Sequence, residues 1–246
     1  MDESVYVAQP QIERVRHELK RRVLTVAKTT RLTPHMIRIT LKGEDLSDFV
    51  SLSPDDHVKI FVDDGEGDVA MRDYTPRRFD TDARTLELDF ALHDAGPATR
   101  WALNAVEGSK LTVGGPKGSG LVQGVKRWLL IGDETALPAI GRRLEEAPPE
   151  MSFTVIVAVP HKEDEQDLQS KAQVDVKWIH RAECQSREAA PFLDVLGQVE
   201  LSPQTFAWVA AEAGVVKTIR RHLVEDLGHK EAWLKASGYW TAGRAE

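Results

Sequence analysis

A single cysteine, Cys184, stands in a chain of 246 residues. That excludes an internal disulfide and an iron–sulfur cluster held by four of the chain's own thiolates. No Cys–His pairing typical of a nucleophile surrounds it. No apolar run approaches the roughly 20 residues needed to cross a bilayer as a helix, so membrane insertion is not expected. Met1-Asp2-Glu3-Ser4 has neither the basic region nor the apolar core of a secretory signal, and a cytoplasmic location is expected. Positive charge is in deficit: 32 Lys and Arg against 39 Asp and Glu give a formal net charge of −7. A general nucleic-acid binder needs the opposite balance. The Gly-x-Gly-x-x-Gly dinucleotide fingerprint is missing from the second half. Gly114-Gly115-Pro116-Lys117-Gly118-Ser119-Gly120 lacks the Gly-Lys-Ser/Thr ending of a phosphate loop and is read as a linker or barrel-end loop.

What is present is a soluble globular composition, 41 % hydrophobic and 29 % charged, in a chain long enough for two domains. Residues 1–20 are polar and are read as an N-terminal arm or short helix. From there to residue 120 the chain is strand-like. Val23–Val26, Met36–Leu41, Val58–Val62, the stretch around Arg72–Tyr74, Thr85–Leu92 and Lys110–Val113 make six short strands with little helix between them. That pattern predicts an antiparallel β-barrel. One helical signal interrupts it at Gly96-Pro97-Ala98-Thr99-Arg100-Trp101. Pro97 suits the first helical position, and the N–H groups of Ala98 and Thr99 then face outward as an anion site.

Residues 121–246 change rhythm to strand–helix–strand. Trp128–Gly132, Phe153–Val159, Val174–Ile179 and Phe206–Ala210 read as strands of a parallel sheet. Ala136–Glu146, Arg187–Leu196 and Val215–Leu227 read as its helices. In such folds ligands gather at the carboxyl ends of the strands. Attention therefore falls on Gly132–Pro138, Pro160-His161-Lys162 and Ala211–Gly214.

Arg72-Asp73-Tyr74-Thr75-Pro76 carries the clearest chemistry. Side chains alternate along a strand, so Arg72 and Tyr74 project to one face. A permanently charged fork matches phosphate oxygens bidentately, and a phenol ring offers a face to another aromatic system. Pro76 cannot donate to a ladder, which predicts a strand end or edge with Thr75 at the rim. A flavin nucleotide needs this pairing; an edge strand with a solvated Arg and a half-buried Tyr is the plainer alternative.

Five stretches narrow the reading further. Arg72–Pro76, Asp89-Phe90-Ala91-Leu92-His93, Gly96–Trp101, Asp133-Glu134-Thr135-Ala136-Leu137-Pro138-Ala139-Ile140 and Gly238-Tyr239-Trp240-Thr241-Ala242-Gly243 resemble, in order, the siderophore-interacting protein family. These are FAD-dependent ferric-siderophore reductases of the ferredoxin–NADP reductase superfamily. The resemblance implies FAD, with NADPH or NADH as electron donor, or a ferredoxin in some members. It implies that Arg72 holds an FAD phosphate, Tyr74 stacks on the isoalloxazine and Thr75 reaches its polar edge, with Asp73 beside them. Asp89, Phe90, Ala91, Leu92 and His93 would line the ribityl and diphosphate path. Gly96, Pro97, Ala98 and Thr99 would present the pyrophosphate site. Thr135 and Ala136 would face the flavin from the second domain, and Tyr239 and Trp240 would close over it. Thr75 and Thr135 are the flavin-edge candidates.

The implied reaction is reduction of a ferric siderophore with release of Fe(II). A non-catalytic siderophore-binding flavoprotein and a general NAD(P)H or ferredoxin reductase are the alternatives. Many ferric siderophores are large and anionic, so the site should be basic and open. Arg78 and Lys235 are the preferred candidates, with Arg77 next and Lys59 and Arg38 as further possibilities. Arg181 and His161-Lys162 lie where a 2′-phosphate could be approached. No metal site of the protein's own is expected.

Overall fold

The computed structural model describes residues 9–92 and 96–242. The strands are β1 (Gln11–Arg16), β2 (Arg21–Thr33), β3 (Met36–Lys42), β4 (Val58–Asp63), β5 (Val69–Tyr74), β6 (Pro76–Asp80) and β7 (Thr85–Ala91). Helix α1 (Pro97–Asn104) precedes β8 (Lys110–Gly114) and β9 (Gly118–Gln123). The second half runs β10 (Arg127–Gly132), α2 (Leu137–Glu146), β11 (Ser152–Val159), β12 (Gln173–His180), α3 (Ala190–Leu196), β13 (Thr205–Glu212), α4 (Ala213–Arg221) and β14 (Leu234–Trp240).

The first sheet has seven strands, ordered β5-β4-β8-β2-β3-β7-β6 with antiparallel pairing throughout, where the sequence predicted six. The seventh is β6, opened by Pro76 on an edge, where its missing N–H costs no ladder bond. β5 and β6 lie at opposite ends of this order, yet only Thr75 separates them in the chain. The two edges therefore come together at Thr75, and the sheet curls into a half-barrel whose edge strands β5 and β6 are not paired with each other. Alternate residues of β2, β3, β4 and β7 fill the interior, among them Leu24, Ile39, Ile60, Leu88 and Phe90, all fully buried.

The second sheet is parallel, ordered β12-β11-β10-β13-β14. Its central strands are buried on both faces, which is why Leu129–Ile131 and Phe206–Val209 read as continuous apolar runs. A fifth strand, β14, arises in the C-terminal stretch where the sequence reading placed no strand and expected Tyr239 and Trp240 to close over the flavin.

Within the expected arm or short helix over residues 1–20, Gln11–Arg16 is a strand, paired antiparallel with β9, while residues 1–8 lie outside the described residues. The glycine-rich run expected as a linker is half strand for the same reason, and the expected boundary at residue 120 falls inside β9. A Cβ on Gly118 would lie 2.6 Å from the Val15 carbonyl oxygen, so the pairing requires glycine there.

Candidate functional site

The site is built at the barrel corner and the carboxyl ends of the parallel strands. On β5 exposure alternates, and Ala70, Arg72 and Tyr74 share the less exposed face. The Tyr74 ring lies 4.3 Å from that of Phe90, which in turn lies 5.6 Å from Trp101. Burial raises the Tyr74 hydroxyl pKa well above its usual value, so the ring is a neutral platform. The Arg72 guanidinium bonds the Met71 carbonyl at 2.9 Å, and no carboxylate among the described residues pairs with it. α1 packs on β4, β5 and β7, with Gly96 at its N-cap and Pro97 in its first turn. Among the described residues no side chain caps this helix start, where Ala98 and Thr99 are buried. A cavity of about 380 Å³ opens beside it, lined by Pro97, Arg100 and Trp101.

Thr75 was expected at an exposed rim and is instead 7 % exposed. Its side chain lies beside the Tyr239 hydroxyl of β14, where the barrel corner meets the second sheet. Next to Tyr239, the Trp240 indole donates to Asp133 Oδ2 at 2.8 Å. Asp133 is fully buried and accepts three more bonds: from Thr135 N at 3.0 Å, Thr135 Oγ1 at 2.5 Å and Glu212 N at 3.1 Å. A Cβ on the preceding Gly132 would come within 2.5 Å of the Ala136 Cβ and 2.9 Å of the Ala210 oxygen. Only glycine lets the chain turn this tightly from β10 into the Asp133–Thr135 segment. Glu134 pairs with the buried Arg181 at 3.0 Å. Burial, then the nearby Asp133, raise the Glu134 carboxyl to about 7 despite that arginine.

The structure thus brings Arg72, Tyr74, Thr75, Thr135, Tyr239 and Trp240 to one region. Other expected site residues have packing or pairing partners of their own in the fold. Ala136 and Phe90 are fully buried and act as packing beneath the surface. Asp89 is held by Arg38 at 2.6 and 2.8 Å, inside the barrel wall. Asp73 faces outward and pairs with Lys59 at 2.8 Å. Ala91 and Leu92 are half-buried next to the β2–β3 turn, Leu92 donating to the His35 carbonyl at 2.9 Å. His93 lies outside the described residues.

The cations expected to meet a siderophore are largely committed. Arg77 is buried and bonds Glu145 of α2 at 2.9 and 2.5 Å, so it is corrected from an open cation to a domain contact. Lys235 pairs with Asp55, a buried barrel-loop carboxylate that also accepts from Trp208 at 3.0 Å and lies 3.5 Å from Arg143. It too is a domain contact. Burial pushes the Asp55 pKa up, but Lys235 and Arg143 outweigh this and hold it at about 2. Arg78 keeps an exposed side chain while touching Glu145 at 3.1 Å. Sequence reasoning missed this clasp. Arg142 completes it by bonding Ser51 and the Pro76 carbonyl across the domain boundary at 2.8 to 3.1 Å. Its one visible signal was the pair Arg142-Arg143 in a helix expected to pack against a sheet.

A curled antiparallel barrel followed by a parallel sheet is the ferredoxin-reductase-like architecture. The ferredoxin reductase of a carbazole 1,9a-dioxygenase shares it at 16 % identity with a TM-score of 0.69, over 90 % of this chain and 70 % of that one. Residues 125–243 match the family described as siderophore-interacting protein, and residues 25–70 and 63–120 match the siderophore-interacting FAD-binding domain. An Escherichia coli K12 protein named NADPH-dependent ferric-chelate reductase is 31 % identical over 94 % of this chain and 96 % of its own length. A siderophore utilization protein from T. fusca superposes with a TM-score of 0.88 at 35 % identity, covering 96 % of this chain and 97 % of that one. The chain belongs to the siderophore-interacting protein family.

Proposed function

We propose that this chain reduces ferric siderophores, taking electrons from NADPH or NADH through bound FAD and releasing Fe(II) in the cytoplasm. The observation that carries the reading is Arg72: a half-buried arginine without a carboxylate partner among the described residues, on the same strand face as Tyr74. A charged fork so placed fits the phosphates of a dinucleotide. The start of α1, uncapped among the described residues, supplies N–H groups for the same diphosphate. The residues present therefore fit FAD.

In this reading Arg72 and the Ala98 and Thr99 N–H groups hold the diphosphate, and Tyr74 gives the ring system a face backed by Phe90. Ala91 and Leu92 line the path between them. Thr75 and Thr135 meet the polar edge, Thr135 already oriented by its hydrogen bond to Asp133. Tyr239 and Trp240 form the wall on the side of the second domain and exclude water. FAD, when bound, accepts two electrons as hydride and passes them on singly, which a nicotinamide and a ferric ion together require. Reduction to Fe(II) weakens the hold of hard oxygen donors, so no side chain need act as acid, base or nucleophile on the siderophore. Of the cations expected to meet the siderophore, Arg78 and Lys59 keep exposed side chains, and we assign the anionic chelate to Arg78.

The names of the relatives support this reading, as do the two family matches. Purified protein loaded with FAD should bleach on adding NADPH without oxygen. Colour should return with a ferric siderophore, while a ferrous chelator traps the product. Reoxidation by dyes but by no ferric siderophore would overturn it.

A further inference from the structure

The turn between β2 and β3 carries His35, and the loop after β11 carries His161. Their rings come together across the domain boundary, with centres 5.7 Å apart. Asp164, which is 3 % exposed, holds His35 twice: it accepts from the backbone N–H at 2.9 Å and pairs with Nδ1 at 2.8 Å. A carboxylate on Nδ1 fixes the proton there and turns the Nε2 lone pair outward. That is how proteins orient a metal-binding imidazole. His161 is exposed, so its ring can turn toward the same point. An ion at the usual ~2.1 Å from an imidazole nitrogen lies roughly 3 Å from the ring centre, so one ion can meet both rings. The adjoining run Lys162-Glu163-Asp164-Glu165 sets one lysine against three carboxylates, which favours a cation.

From these contacts we infer that His35 and His161 form a two-imidazole site for a borderline divalent transition-metal ion, with Asp164 as its positioning residue. Among the described residues no group of three or more His, Cys, Asp and Glu side chains is arranged to hold a metal, so solvent completes the coordination. Such a site exchanges its ion readily. It sits at the edge of the proposed cofactor path, because the His35 carbonyl accepts from Leu92 N at 2.9 Å. Resting on the reductase reading, the ion it meets in turnover is the Fe(II) product. Imidazole suits Fe(II), whereas the hard oxygen donors of the siderophore suit Fe(III).

Calorimetric titration of the purified protein with Zn(II) alone tests the site without nicotinamide or siderophore, so its failure would leave the reductase reading standing. One saturable event per chain is expected. His161→Ala, an exposed change that leaves the core intact, should weaken it at least tenfold. Asp164→Asn should weaken it about 10- to 100-fold. Anaerobic Fe(II) should compete with Zn(II) for the same site. Absence of saturable binding, or equal affinity in His161→Ala and the parent protein, overturns the proposal.

Discussion

The Trp240 indole N–H and the Asp133 carboxylate meet at 2.8 Å, tying the end of β14 to the end of β10. Asp133 Oδ1 takes two bonds from Thr135 and Oδ2 takes two from Glu212 and Trp240, so every contact it makes is with a donor. In Asp133→Asn the amide nitrogen would face donors whichever way it turned. The expected cost is about 1–3 kcal/mol, read as a lower urea midpoint with an unchanged slope. Trp240→Phe, which removes one donor but keeps the ring, should cost less than Asp133→Asn.

Glu134 predicts a pH signature. Its folded pKa is raised from 4.5 to about 7, chiefly by burial. Above about pH 4.5 the unfolded chain releases this proton while the folded one retains it. Stability from this group is therefore full at low pH and lost as pH rises toward about 7, a swing on the order of 3 kcal/mol. Glu134→Gln should abolish that slope between pH 4.5 and 7 in denaturation experiments.

Glu145 has the opposite sign. Hydrogen bonding to Arg77 lowers its pKa from 4.5 to about 2. Its contribution is present above pH 4.5 and lost as pH falls toward 2. Arg77→Met should shrink that acid limb, leaving the part due to Arg78, and lower stability at neutral pH by about 2 kcal/mol, since Glu145 is partly solvated. Thermal melts at pH 7 and pH 3 check both statements.

Lys235→Met separates a domain contact from a substrate contact. Asp55 would lose one cation while keeping Arg143 and Trp208, at a cost of about 2 kcal/mol in denaturant. Siderophore affinity should stay the same in Lys235→Met and fall in Arg78→Ala, as read by tryptophan fluorescence quenching.

Local alternation and apolar continuity made much of the architecture legible. The β5 face bearing Arg72 and Tyr74 follows from a period of two, and the central parallel strands from runs without polar breaks. β6 was hidden because Pro76-Arg77-Arg78-Phe79-Asp80 has no clear alternation, and its pairing with β7 is set by the closing of the barrel. β1 was hidden because its partner is the glycine-rich run of β9, more than a hundred residues away. The fates of Arg77, Lys235 and Asp55 depend on how two domains meet, and nothing local in a sequence tells a solvated charge from one buried in such a contact. Asp133-Glu134-Thr135 was legible only as a strand-end stretch before the helical run from Ala136, whereas its role as a hydrogen-bond hub needs Trp240, 107 residues on.

FAD titrated into flavin-free parent protein and Arg72→Ala, followed by the flavin absorbance change and with folding checked by circular dichroism, tests the central claim most directly. Loss of a charge-assisted phosphate contact should weaken FAD binding about 10- to 100-fold with the fold unchanged. Equal FAD affinity in the two proteins would contradict the assignment of Arg72 and, with it, the placement of the cofactor.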